Sequence, residues 1–161
     1  MPSSPCIAET GVGDQPRSVH LLDPVSGLGR VIFKTRAGSG SPTLSPAGDR
    51  FAYVLPTEPG RPRNRIRILL ADGTLERDII AAGATALNSL DYSADGRGLF
   101  TSDYSTDLGA RLLYLSLDGK VTILWNNRGS VRTWGVPSPD GKWITLLGAT
   151  QESNVWVLEG F

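Results

Sequence analysis

The chain has 161 residues, with 16 Lys plus Arg against 16 Asp plus Glu, so its formal net charge is zero. That balance offers no electrostatic case for a nucleic acid or an anionic membrane as partner. The single cysteine, Cys6, excludes an intrachain disulfide and a cysteine-based metal site within one chain. No apolar run approaches the roughly 20 residues that span a bilayer, and residues 1–10 lack the basic and apolar regions of a secretion signal.

In chain order, short extended runs alternate with turns. Residues 5–10 read as a short strand, 11–16 as a loop, 18–22 as a strand, 23–27 as a turn and 30–34 as a strand. The next unit carries four runs, at 41–44, 51–55, 65–70 and 75–80. In the third run Ile66 and Ile68 alternate with Arg65 and Arg67, the period of a half-exposed strand. An Asp72-Gly73 turn links the last two runs. Leu75, Ile79, Ala82, Ala86 and Leu90 also fit a helical stripe, but Gly83 interrupts it and the same register is β in the next unit. The following four runs lie at 86–92, 98–102, 110–115 and 121–125. The last unit has runs at 131–136, 143–147 and 154–158.

The turns define a repeat. Ser138-Pro139-Asp140-Gly141 recurs as Ser93-Ala94-Asp95-Gly96 and, more loosely, as Ser45-Pro46-Ala47-Gly48, at spacings of 48 and 45 residues. Pro presets the second turn position, Gly takes a positive φ, and Asp holds local backbone amides. A repeat of about 40–50 residues with four strands is the signature of a β-propeller blade. The expected fold is therefore all-β: a single partial propeller of about three and a half four-stranded antiparallel blades. Residues 1–35 form an incomplete blade, 36–83 and 84–129 full ones, and 130–161 a final blade lacking its outer strand. An innermost strand missing from the first unit predicts a piece of a longer propeller, with the remaining blades absent or supplied by another chain.

The turns at 93–97, 117–120 and 137–142, with Leu90-Asp91-Tyr92 and Asn154-Val155-Trp156-Val157-Leu158, resemble TolB-like and WD-repeat-like bacterial propellers. As a set, over about residues 40–161, they look like the C-terminal propellers of acidobacterial-type membrane regulators that carry a winged-helix or serine/threonine kinase domain. The resemblance implies a sensor or protein-interaction module in signal transduction, periplasmic when part of such a regulator.

Catalytic patterns are weak. His20 is the only histidine and Asp23 is too near it along the chain to orient it. No Gly-x-Ser-x-Gly elbow is present. Asp103, Ser105 and Asp107 alternate as oxygen ligands of a calcium loop do, yet Leu108 and Tyr114 occupy the places of the required Gly and Glu. Gly38-Ser39-Gly40-Ser41 lacks the Lys and helix of a phosphate loop. No cofactor is implied. Arg61, Arg63, Arg65 and Arg67 read foremost as a soluble outward face, and second as a contact for an acidic partner. Trp125, Trp134, Trp143 and Trp156 all fall in expected strands; packing is the default, with Trp134 placed to line the channel mouth.

The expected function is a non-catalytic binding or sensor module for a protein or small ligand. The alternatives are the propeller of an α/β-hydrolase peptidase and a TolB-type periplasmic translocation component. One face of the propeller carries stereotyped Asp-Gly turns. The other carries dissimilar loops, where specificity is encoded without disturbing the blades. The candidate partner-binding residues are Arg61, Arg63, Asp103, Asp107, Asn127, Arg128 and Glu152 on that loop face, with Trp134 at the channel rim.

Overall fold

The computed structural model describes residues 6–11, 13 and 15–150. Its regular elements there are thirteen strands: β1 (Cys6–Thr10), β2 (Ser18–Asp23), β3 (Gly27–Lys34), β4 (Thr43–Leu44), β5 (Arg50–Val54), β6 (Arg65–Leu70), β7 (Leu75–Ile80), β8 (Leu87–Tyr92), β9 (Gly98–Ser105), β10 (Gly109–Ser116), β11 (Val121–Asn127), β12 (Ser130–Pro137) and β13 (Ile144–Thr150). They form four antiparallel sheets, ordered β1-β2-β3, β4-β5-β6-β7, β8-β9-β10-β11 and β12-β13. The expected strand at 154–158, with Trp156, lies outside the described residues. The helical stripe through Leu75–Leu90 is not a helix. β7 and β8 occupy it, joined by a turn in which Gly83 has φ 78°.

Each sheet is a meander in which consecutive strands pair, and the first strands of the last three sheets, β4, β8 and β12, lie next to one another. Period-2 alternation decides how the sheets stack, because successive side chains leave a strand on opposite faces. In β5, Phe51 and Tyr53 point to one side and Ala52 and Val54 to the other, and all are buried. Phe51 and Tyr53 join Val19, Phe33, Leu55 and Leu69 in a core between the first two sheets. The Phe33 ring lies 5.2 Å from Phe51 and 5.9 Å from Tyr53, centroid to centroid. Ala52 and Val54 join Ile66, Ile68, Leu87, Leu99, Leu113 and Leu115 in a second core between the second and third sheets. A strand buried on both faces is what face-to-face stacking of blades requires. The fourth sheet packs through β12 onto β9 and β10. There a Cβ on Gly135 would stand 2.7 Å from Leu112 Cδ1, so glycine permits the approach. The chain is a partial β-propeller.

Polar contacts tie the sheets at their ends. Arg17, before β2, reaches Glu9 Oε2 at 3.3 Å and Ser41 Oγ at 3.0 Å, and it also donates to the carbonyl of Ser39. Between the second and third sheets, Arg63 N donates to Thr85 O and Leu87 N donates to Arg63 O, at 3.0 and 2.9 Å.

Candidate functional site

The inner strands β4, β8 and β12 lie side by side and wall a trough of about 690 Å³. The chemistry-bearing groups on it are Thr43 from β4, Asn88 and Asp91 from β8, and Arg132 and Trp134 from β12. β8 sorts them by alternation: Leu87, Leu90 and Tyr92 are buried, whereas Asn88 is exposed and Asp91 partly so. Trp134 Nε1 donates to Asp91 Oδ2 at 2.8 Å, so two sheets meet on the trough wall. Trp134 remains 49% exposed. Burial pushes the Asp91 carboxyl above its ordinary value, and the indole donor only partly offsets this. Other wall hydroxyls are spent internally. Ser89 Oγ and Ser102 Oγ pair at 2.8 Å, and Thr133 Oγ1 donates to Leu147 O at 2.9 Å.

A second hollow, about 780 Å³, lies on the turn side between the third and fourth sheets, beside Phe100, Tyr114 and Trp143. Its carboxylates serve the turns. Ser93 Oγ donates to Asp95 Oδ1 and Ser138 Oγ to Asp140 Oδ1, both at 2.6 Å. The amides of Arg97 and Lys142 then add their own bonds, at 3.0 and 3.2 Å. These donors, the serine hydroxyl foremost, hold both carboxyls below the usual range.

The expected site residues do not form one cluster. Asp103 is the clearest correction. It is not in a loop, because β9 continues to Ser105, and it is 1% exposed. Oδ1 accepts the amides of Thr85 at 2.9 Å and Ala86 at 2.7 Å, while Oδ2 takes Nε of Arg111 at 3.1 Å and also Nη2. Burial alone would raise the Asp103 pKa. The amide of Ala86, the Arg111 guanidinium and the amide of Thr85 outweigh it and leave it lowered. The same pairing removes Asp103 from the calcium candidate. Ser105 Oγ accepts the Leu108 amide at 3.1 Å, closing the turn that presents the exposed Asp107. No group of three potential metal ligands exists among the described residues.

The arginines are paired more than the alternation suggests. Glu58 collects Arg36 at 3.3 Å, Arg61 at 3.6 Å and Arg65 at 2.5 Å. Arg67 binds Asp78 through two bonds of 2.8 Å. Arg61 stays exposed; Arg63 is half-buried, and its backbone bridges to Ala86. Asn127 Oδ1 accepts the Gly129 amide at 2.9 Å, a tight turn that leaves Arg128 in solvent. Glu152 lies outside the described residues. Trp143 departs from its expected strand. It precedes β13 and is 75% exposed. His20 takes Thr10 Oγ1 at 3.0 Å and Gly29 O at 3.1 Å, and neither partner is a carboxylate.

Of the expected residues, Trp134 alone lines the trough. Asn88, Asp91 and Arg132 were legible only as polar residues within inner-strand runs. Aspartate is depleted in strands, so Asp91 between Leu90 and Tyr92 was the signal.

No protein-family model matches the chain, and no curated protein matches it in sequence. Solved structures match in fold. TolB from Acinetobacter baumannii superposes over 94% of this chain and 37% of its own, at TM-score 0.69 and 18% identity. Hydrazine synthase from Kuenenia stuttgartiensis matches 88% of this chain and 40% of its own, at TM-score 0.61 and 19% identity. The periplasmic gluconolactonase of Pseudomonas aeruginosa matches 89% of this chain and 47% of its own, at TM-score 0.55 and 20% identity. The fold is TolB-like. The chain spans less than half the length of each of these structures.

Proposed function

We propose that the chain is a non-catalytic binding module that holds a small ligand in the trough between its inner strands. The observation that carries this reading is the meeting of Trp134 and Asp91, from separate sheets, on a cavity wall of about 690 Å³. Small-molecule sites are concave, fall between about 300 and 1,000 Å³, and combine apolar or aromatic walls with a few convergent polar groups. The turn-side hollow is as large, but its carboxylates are already committed to their own serines and amides. The Ser-Pro-Asp-Gly repeats support placing the module as the sensor part of a larger signalling protein, in the manner of the regulator propellers it resembles.

The test is a thermal-shift screen of the purified chain against a metabolite collection, repeated with Trp134→Ala and Trp143→Ala. The expected result is at least one stabilising compound whose effect is lost in Trp134→Ala and kept in Trp143→Ala. A screen in which every stabiliser acts equally on both variants, or in which none acts, removes the trough as the site.

A second reading, a TolB-type component that docks a protein on its loop face, is favoured by the TolB-like fold and by exposed Arg36, Arg61 and Arg128. Capture of a partner that fails after Arg36→Ala with Arg61→Ala, but survives Trp134→Ala, would favour it over the first.

A further inference from the structure

We infer that the ligand of the trough is a neutral saccharide stacked on the indole of Trp134, an inference that rests on the binding reading above. The ring is held at its edge. The bond from Nε1 to Asp91 Oδ2, 2.8 Å, fixes its orientation while about half of the residue stays open. A ring ordered before binding loses little freedom when a ligand arrives. The face of an aromatic ring carries partial negative charge, and a sugar ring offers it a face of polarised C–H groups with hydroxyls around the rim.

The rim groups match those hydroxyls. An ionised carboxylate has about four lone-pair positions, and the indole fills one of Asp91's. Asn88 supplies both a donor and an acceptor, and Arg132 supplies donors only. A hydroxyl both gives and accepts, so this mixed set suits it. The charges on the wall, one carboxylate and one guanidinium, cancel, and among the described residues Arg132 forms no ion pair. An anion would meet Asp91 and a cation would meet Arg132, so a neutral polar ligand is the one that neither repels.

The experiment is calorimetric titration of the purified chain with glucose, galactose, N-acetylglucosamine, maltose and cellobiose, alongside inorganic phosphate and methylammonium. At least one sugar is expected to bind saturably with a dissociation constant of about 1 mM or tighter. Trp134→Ala and Asn88→Ala should each weaken it, the first by about tenfold or more. Trp143→Ala should leave it unchanged. Asn88 is exposed, so its variant serves even where Trp134→Ala fails to fold. The saccharide assignment falls if no sugar binds while phosphate, methylammonium or a non-sugar hit from the screen does so through Trp134. That outcome leaves the trough standing as a binding site. If no compound binds, both readings fall. Sugar binding that survives both variants places it elsewhere and also overturns the proposal.

Discussion

Trp134 and Asp91 stand 43 residues apart in the chain and meet at 2.8 Å across two sheets. The contact does two things. It closes the seam between the inner strands of the third and fourth sheets, and it holds a carboxyl where burial disfavours its charge. A group arranged in this way costs stability when ionised.

Asp91→Asn removes the buried charge and keeps an oxygen to accept from Trp134. The Asp91 pKa is raised in the folded state, so the native protein binds its proton more tightly than the unfolded chain does. Native stability contributed by Asp91 is therefore greatest at low pH and falls as pH rises from the unfolded value, about 3.9, through the folded one. At neutral pH Asp91→Asn should be as stable as the parent or slightly more so. The gain should vanish toward acid. Urea midpoints at neutral and mildly acid pH measure both.

The blades were legible because they rest on local rules. Asp140 and Gly141, or Asp95 and Gly96, are turn residues whatever surrounds them, and Ile66 with Ile68 marks a strand by alternation alone. Asp103 was misread for a related reason. Its neighbours Tyr104 to Asp107 look like a polar loop, and nothing local announces that Arg111, eight residues later, folds back as the antiparallel partner of Asp103. The trough was the least legible part. It forms from β4, β8 and β12, so Asp91 and Arg132 gain meaning only once three blades lie side by side. Trp143 shows the reverse error, a large apolar residue that the turn geometry leaves in solvent.

Asp103→Ala should be strongly destabilising. It leaves Arg111, 7% exposed, without its carboxylate, and frees the amides of Thr85 and Ala86. Breaking one side of a buried pair costs about 3–5 kcal/mol. Arg111→Met should cost less, because the two amides still satisfy the carboxylate. Asp103 has a lowered folded pKa, so its contribution is present above the unfolded value of about 3.9 and lost as pH falls through the folded one. Acid titration of stability should show that loss in the parent and not in Asp103→Asn. Urea denaturation at two pH values provides the check.

Gly109 opens β10 at φ 73°, and a Cβ there would sit 2.5 Å from the carbonyl oxygen of Asn127. Both the left-handed backbone and the close approach oppose a side chain, so Gly109→Ala should lose more than about 1 kcal/mol. Gly129, in the turn just beyond, is the control. It has no positive φ, and its added Cβ would meet Asn127 Oδ1 at 3.4 Å. Gly129→Ala should stay within about 0.5 kcal/mol of the parent. A comparison of denaturation midpoints separates the two.

Phe33→Ala should weaken the seam between the first two sheets. Phe33 stacks on Tyr53 and tilts against Phe51, and it lies beside Val19, its buried cross-strand partner. Truncating a buried aromatic costs about 3–5 kcal/mol where the site cannot collapse. The loss should appear first as hydrogen exchange in β1 to β3, while the amides of β9 and β10 stay protected, because their core lies between the second and third sheets.

The two best-matched turns have the same chemistry in different surroundings, which yields a paired test. In each, the serine hydroxyl donates to the aspartate two residues on, at 2.6 Å. Each hydroxyl also accepts the amide five residues on, Gly98 N at 3.0 Å and Trp143 N at 3.1 Å. Ser93 is 7% exposed, whereas the turn at Ser138 opens to water. Ser93→Ala therefore strands the Gly98 amide away from solvent, and an unsatisfied buried donor costs about 1–3 kcal/mol. Ser138→Ala lets water replace the hydroxyl at both partners, so its cost should stay under about 1 kcal/mol. Equal losses in urea denaturation would mean that the hydroxyls act through turn geometry alone. A larger loss for Ser93→Ala would assign the difference to burial, with the turn conformation itself held by Gly96 at φ 67° and Gly141 at φ 70° in both.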